Sequence, residues 1–329
     1  MSSAGGVRRS LDQPATPRLA VIVPCLDEAP TIAKVVGDLQ AALPDATLYV
    51  FDNASTDASV MLARDAGATV VSSPRRGKGN VVRHAFRVID ADAYLLIDGD
   101  DTYPADEAPR LVGPVLRGEA DMVVGTRLGA AALGSFRVLH AFGNRLFAGL
   151  VTLLSGVPLT DVLSGYRALS RELVQVLHVR ASAFEVEAEL TLQTVAKDFV
   201  IQELPIAYGR RPPGSESKLG TWRDGYLILQ WIFLLFKDYY PRLFFSIVAA
   251  LLAIGSLVVG IVPITDYVRT GLVLHVPRAL LAVGLGTLAT ISFGVGLILD
   301  TIAAYQADNV EYWRRLLGDR RQPPARDDD

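Results

Sequence analysis

Two stretches of the chain, Leu243 to Ile264 and Ala279 to Leu299, each run for about 20 residues without a formal charge. A helix of that length crosses the hydrocarbon core of a bilayer, whereas helices of a soluble core are usually shorter and keep a polar face. The chain is therefore expected to carry a C-terminal transmembrane hairpin. Half of the 329 residues are hydrophobic and the mean hydropathy is +0.31, an excess localised in these two runs. Lys237 and Arg242 precede the first run. Arg314, Arg315, Arg320, Arg321 and Arg326 follow the second, and only Arg269 and Arg278 lie between them. That bias predicts both termini on the cytoplasmic side of the cell (inner) membrane. The second run spaces Ala282, Gly286, Thr290 and Gly294 four apart, which predicts close packing on the first run or on a second copy, a homo-oligomer.

Ahead of the hairpin, residues 18–217 alternate short apolar runs with helical periods. "RLAVIV", "TLYVFD", "ATVVS", "AYLLID" and "DMVVG" read as strands, with helices over Thr31 to Leu43, Thr56 to Ala66 and Lys78 to Ile89. This pattern predicts a mostly parallel α/β sheet covered by helices on both faces, in which ligands bind beyond the carboxyl ends of the strands. The polar clusters fall at those ends: Asp27-Glu28, Asp52-Asn53, Asp98 to Asp101, and Gly125-Thr126-Arg127. Residues 1–17 and 301–329 read as a disordered tail and a cytoplasmic tail. Residues 218–240, with Trp222, Tyr226, Trp231 and Phe233, read as an amphipathic segment lying in the membrane interface, burial against the catalytic domain being the alternative.

Several classes are disfavoured. A net charge of −3 argues against a general nucleic-acid binder. The single cysteine, Cys25, permits neither an internal disulfide nor a thiolate metal site. The run Leu19 to Val23 is too short for the core of a secretory signal, so everything before Leu243 is expected on the cytoplasmic side. No G-x-G-x-x-G follows the first strand, and "RRGKGN" lacks the Ser or Thr of a phosphate-binding P-loop. The four histidines sit in no hydrolase motif.

"LLIDGDDTYP" carries the chemistry. Asp98 and Asp100 flank Gly99, whose freedom lets two carboxylates converge at a strand mouth. One Mg²⁺ or Mn²⁺, completed by water and substrate phosphates, would offset that crowded charge. A solvated acidic turn is the alternative, and Asp101 fits it.

Together with "VIVPCLDEAPTI", "FDNASTD", "RRGKGNVVRHAF", "VVGTR", "LSGYR" and "SKLG", this stretch resembles glycosyltransferase family 2, of GT-A fold, over about residues 19 to 240. Within it the chain is most similar to polyprenyl-phosphate sugar transferases such as dolichol-phosphate mannose synthases. The resemblance implies donor contacts from Pro24, Asp27, Glu28, Asp52, Asp57, Lys78, Asp98 and Gly99. It implies metal and diphosphate binding by Asp98 and Asp100. The mannose synthases carry Gln and His where this chain has Thr102 and Tyr103. Arg127, Arg167 and Lys218 match positions that hold the acceptor phosphate, a task suited to the forked guanidinium of arginine. Asp161 matches a carboxylate near the reacting atoms. Glu187, in "FEVEAEL", matches a glutamate of the family. Taken as plain residues, Arg127 and Arg167 also fit surface ion pairs, Asp161 a turn cap, and Glu187 with Glu185 and Glu189 a solvated helix face.

The implied reaction is inverting transfer of a hexose from UDP-glucose or GDP-mannose to a membrane polyprenyl phosphate, the acceptor phosphate oxygen attacking the anomeric carbon; transfer to another lipid or to a polysaccharide acceptor is the alternative. A processive polysaccharide synthase is disfavoured because "LQWIF" lacks the arginine of Q-x-x-R-W. A nucleotidyltransferase is disfavoured because "VPCLDEAP" is not a Gly-rich basic loop.

Overall fold

The computed structural model describes residues 17–127, 148–149, 151–152, 156–183, 185–209, 212, 230, 233–234 and 236–317. Seven described strands form one sheet in the order β3-β2-β1-β4-β6-β5-β7. They are β1 Leu19–Cys25, β2 Thr47–Asp52, β3 Thr69–Ser72, β4 Ala93–Leu96, β5 Met122–Thr126, β6 Arg167–Ser170 and β7 Ile201–Pro205. The first four run parallel as expected, and β5 and β7 pair in parallel with each other. β6 is antiparallel to both neighbours, with Arg167 opposite Leu96 on one side and Val124 on the other. Its first residue therefore lies near the carboxyl ends of β4 and β5, so one edge of the sheet collects residues from both strand ends and a strand start.

Helices α1 Ile32–Ala42, α2 Ser59–Asp65, α3 Lys78–Val88, α4 Ala108–Leu116, α5 Arg171–Val176 and α6 Val186–Ala196 cover the sheet. One apolar cluster joins alternate strand residues such as Val21, Val23, Leu95 and Val123 to α1 and α4. The other joins Ala20, Ile22, Leu96 and Val124 to α3 and α6. Strands buried on both faces read as continuous apolar runs, which is what the sequence shows.

Two long helices follow, α7 Pro241–Thr270 and α8 Val276–Leu317. Windows of mean hydropathy 2.7 and 2.0 mark Pro241–Thr270 and Val276–Tyr305 as long and apolar enough to cross a membrane, and only 17% of each window is buried. Gly271, at φ 69°, closes α7 in the left-handed conformation. The pair packs through Gly260 on Ala282, Gly286 on Ser256 and Gly296 on Phe245, and the Ser256 hydroxyl donates to the Ala282 carbonyl at 2.7 Å. The four-residue stripe meets α7 along only part of its length. Ala282 and Gly286 face α7, while a side chain added at Gly294 would meet nothing within 4 Å. A straight helix repeats every 3.6 residues, so a strict spacing of four drifts off the contact line. Tyr239 and Tyr240, at the foot of α7, pack on a third cluster that includes Val151, Leu159, Val162 and Leu192. Trp222, Tyr226 and Trp231 lie outside the described residues.

Candidate active site

The "GKG" turn is built for close approach. Gly77 caps α3 at φ 112°, a conformation side chains rarely adopt, and a Cβ there would lie 1.9 Å from the Ser182 carbonyl oxygen. The Gly77 N–H donates to Asn53 Oδ1 at 2.6 Å, and the Gly79 N–H donates to the Ala183 carbonyl at 3.2 Å. These contacts press the start of α3 onto the segment before α6. Lys78 is thereby set between two carboxylates, its Nζ 2.5 Å from Asp98 Oδ1 and 2.5 Å from Glu187 Oε1. Burial works against the ammonium, but Asp98 and Glu187 outweigh it and hold Lys78 protonated above the ordinary lysine range. Burial pushes the Glu187 carboxyl up against the pull of Lys78, and its second oxygen, Oε2, is buried without a hydrogen-bond partner.

The three crowded acids each have a partner. Asp98 meets Lys78. Asp100, 4% exposed, accepts from the Thr102 N–H at 3.1 Å and the Thr102 hydroxyl at 2.6 Å. Asp101 turns outward at φ 58° to Lys34, at 2.7 Å. Thr102 thus orients an acid, and the buried Tyr103 hydroxyl accepts from the Gly165 N–H at 3.0 Å. Among the described residues, no three His, Cys, Asp or Glu side chains converge as a metal cage. Two oxygen-only carboxylates on one cleft wall fit a hard divalent cation whose remaining positions go to water and phosphate.

The cleft is lined by Pro24, Glu28, Asn53, Lys78, Asp98 and Asp100, together with Cys25, Leu26, Arg76, Gly77, Gly99, Val81 and Ala183. Asn53 belongs to a polar cluster the sequence placed at a strand end, without a role of its own; Arg76 was not singled out, although it sits inside a quoted motif. Asn53 braces the cleft floor, its Nδ2 donating to the Arg75 carbonyl at 2.8 Å. Asp52, 8% exposed, accepts from the Ser55 N–H at 2.9 Å. Two of the expected donor residues lace together the loops after β1 and β2. Asp27 accepts from the Thr56 N–H at 2.6 Å, and Asp57 accepts from the Ala29 N–H at 3.0 Å and the Ser59 N–H at 2.9 Å. Burial pushes the Cys25 thiol up to about 12, so it behaves as a small apolar residue.

Along the same edge, Asp161 grips Arg127 with both oxygens, at 2.8 Å to Nε and 2.7 Å to Nη2. Burial pushes Asp161 up, but the guanidinium more than offsets this and holds its carboxyl below the ordinary range. Glu203 on β7 in turn accepts from the Thr160 N–H at 2.9 Å and the Asp161 N–H at 3.0 Å. Arg127 also stacks over Tyr208, its guanidinium carbon 5.8 Å from the ring centre.

Arg167 is placed differently from the acceptor-binding role expected of it. It is 0% exposed, and its guanidinium donates to the Ser164 and Val162 carbonyls and the Thr191 hydroxyl, each at 2.7 Å. As the first residue of a central strand it points into the packed layer beneath α6. Burial lowers its pKa. The solvated face imagined for α6 is likewise absent, since Glu185, Glu187 and Glu189 are all buried. Lys218 lies outside the described residues.

A seven-stranded mixed sheet with a cleft at its carboxyl edge, lined by an Asp-x-Asp turn, has the architecture of a GT-A fold. The comparisons carry this to a family. The model of Glycosyl transferase family 2 matches residues 20–177. "Glycosyltransferase AglJ" of Haloferax volcanii is 33% identical over 234 residues, 71% of this chain and 77% of that protein. "Dolichyl-phosphate hexose transferase" of the same organism is 30% identical over 207 residues, 63% of this chain and 89% of that protein. Glucosyl-3-phosphoglycerate synthase from Mycobacterium tuberculosis, solved with Mn²⁺ and UDP-glucose, superposes with a TM-score of 0.54 at 28% identity, covering 68% of this chain and 79% of that one. The chain belongs to glycosyltransferase family 2.

Proposed function

We propose that this enzyme transfers a hexose, with inversion, from UDP-glucose or GDP-mannose to a polyprenyl phosphate at the cytoplasmic face of the cell membrane. The carrying observation is that the cleft and the apolar hairpin occur in one chain. Tyr239 and Tyr240 join the cluster of Leu159 and Val162, next to Asp161, which supports an acceptor edge close to the foot of α7. The relative named for dolichyl phosphate, and the UDP-glucose bound in the Mycobacterium tuberculosis enzyme, support the lipid acceptor and the nucleotide-sugar donor.

Asp98 and Asp100 would hold Mg²⁺ or Mn²⁺, which when bound neutralises the departing diphosphate. The chain's own residues do the rest. Pro24, Glu28, Asn53 and Asp52 shape the nucleoside end of the cleft, with Asp27 and Asp57 holding its loops. Lys78 and Arg76 provide positive charge for the diphosphate. Arg127, fixed by Asp161 and with Lys218 from the following segment, offers the charge that brings an anionic acceptor alongside a second anion. Because a phosphate monoester is already ionised at neutral pH, the attacking oxygen needs little help from a base.

The test is a panel assay. Purified full-length protein in detergent is mixed with polyprenyl phosphate and labelled UDP-glucose or GDP-mannose, with Mn²⁺ or with chelator. Sugar-labelled lipid from one donor, lost in chelator, is expected. Transfer to a soluble acid such as 3-phosphoglycerate in preference to the lipid would overturn the acceptor assignment.

A further inference from the structure

The Lys78–Asp98–Glu187 arrangement does more than line the cleft. A 2.5 Å contact to Lys78 claims one Asp98 oxygen, and the other lies against Gly165, 2.6 Å from where a Cβ there would stand. A divalent cation that takes Asp98 must therefore contend with an ammonium on the same carboxylate. Glu187 is 3% exposed and holds the opposite side of Lys78 with Oε1, while Oε2 has no hydrogen-bond partner. A buried carboxylate oxygen left in this way carries a desolvation cost, and an ammonium has three N–H groups to distribute.

We propose that Lys78 is an internal cation exchanged against the metal at Asp98, and that Glu187 is the positioning residue that retains Lys78 when the metal takes Asp98. Released from Asp98, the ammonium turns toward the cleft that it already lines, where the donor diphosphate lies, and Glu187 keeps it within reach through both oxygens. The charge of the cluster is conserved in the exchange, because the incoming cation and diphosphate arrive together. The inference rests on the reading of Asp98 as a metal-binding residue.

Metal and nucleotide affinities then respond to Lys78 with opposite signs. The experiment measures Mn²⁺ binding to the full-length protein by electron paramagnetic resonance without nucleotide, and UDP and GDP binding by calorimetry with Mn²⁺. Lys78→Met is expected to bind Mn²⁺ at least about tenfold more tightly, since a cation in contact with a carboxylate moves its proton equilibrium by about one to three powers of ten and competes likewise with a metal ion. The same variant is expected to bind its nucleotide about tenfold less tightly. Glu187→Gln leaves Lys78 wholly on Asp98, so Mn²⁺ binding weakens. The double variant Lys78→Met/Glu187→Gln removes the buried pair together, which favours folding, and leaves the net charge of the cluster unchanged. It is expected to keep most of the gain in Mn²⁺ affinity. Wild-type Mn²⁺ affinity in both Lys78 variants would overturn the exchange. So would a gain in the single variant that vanishes in the double, which would trace the effect to net charge alone. A wild-type protein that binds no Mn²⁺ would instead sink the metal reading, and the exchange with it.

Discussion

Gly165→Ala adds one methyl group and alters no charge, yet it strikes the centre of the site. A Cβ at Gly165 would lie 2.6 Å from Asp98 Oδ2 and 2.9 Å from Lys78 Nζ. Carbon and oxygen settle at about 3.3 Å or more, so the carboxylate must retreat by about 0.7 Å. Forcing a methyl into a packed space costs about 1–3 kcal/mol, and a displacement of about 1 Å at a reacting centre lowers rates by about a hundredfold. We therefore expect Mn²⁺-dependent nucleotide binding to weaken about 5- to 100-fold and sugar transfer to fall about a hundredfold, while the unfolding midpoint drops by only a few degrees. Gly37→Ala is the control. Gly37 lies inside α1 with nothing within 4 Å of an added Cβ. That change should leave binding alone and raise stability by about 0.5–1 kcal/mol. Calorimetric titration and thermal unfolding of both variants decide the matter. Wild-type Mn²⁺ and nucleotide affinity in Gly165→Ala would refute the claim that Asp98 and Lys78 work at the positions described.

Three further outcomes follow from the packing. Asp161→Asn strands the Arg127 guanidinium and should cost about 3 kcal/mol in chemical denaturation. Because the folded pKa of Asp161 lies below its unfolded value, its contribution is present above about pH 4 and lost as pH falls through the folded pKa, so the variant's acid limb should be flatter. Arg167→Lys keeps the charge but loses a fork buried on three oxygens; thermal unfolding should show a loss of about 3 kcal/mol, with donor and acceptor kinetics harmed alike. A selective loss of acceptor affinity at unchanged stability would restore the phosphate role to Arg167. In the hairpin, Gly296→Leu should loosen the α7–α8 pair because a Cβ there meets Phe245 at 2.8 Å, whereas Gly294→Leu should be silent when detergent stability is measured.

Much of this was legible in the sequence for physical reasons. Strands buried on both faces announce themselves as apolar runs, so "TLYVFD" coincides with β2 and "RLAVIV" with most of β1. β6 escaped because "RALS" is four residues long, begins with an arginine and has no alternating pattern. β7 escaped because its residues are half-buried at a sheet edge. The acids at strand ends were legible because burial is costly for charge, so an acid there demands a reason. Some of them also brace the site, as Asp27 and Asp57 do in lacing loops together. α6 misled most. Its glutamates at helical spacing suggest water, yet Val186 to Val195 is buried throughout. Only the folded chain shows Lys78 arriving from distant sequence to meet Glu187, and the loop just before α6 turning the N–H groups of Arg180 and Ala181 onto Glu189.

The reversed central strand has a consequence for how the molecule is made. β4 is buried at every position, and the partner for its open edge, Arg167–Ser170, leaves the ribosome much later than Ala93–Leu96. Until then the nascent chain displays an apolar strand with unpaired backbone groups, the usual template for aggregation, and pairing across such a separation is slow. The half that shapes the nucleotide cleft therefore does not stand as a module of its own. A messenger cut short between β5 and β6 should yield a sticky remnant for the quality-control machinery to clear.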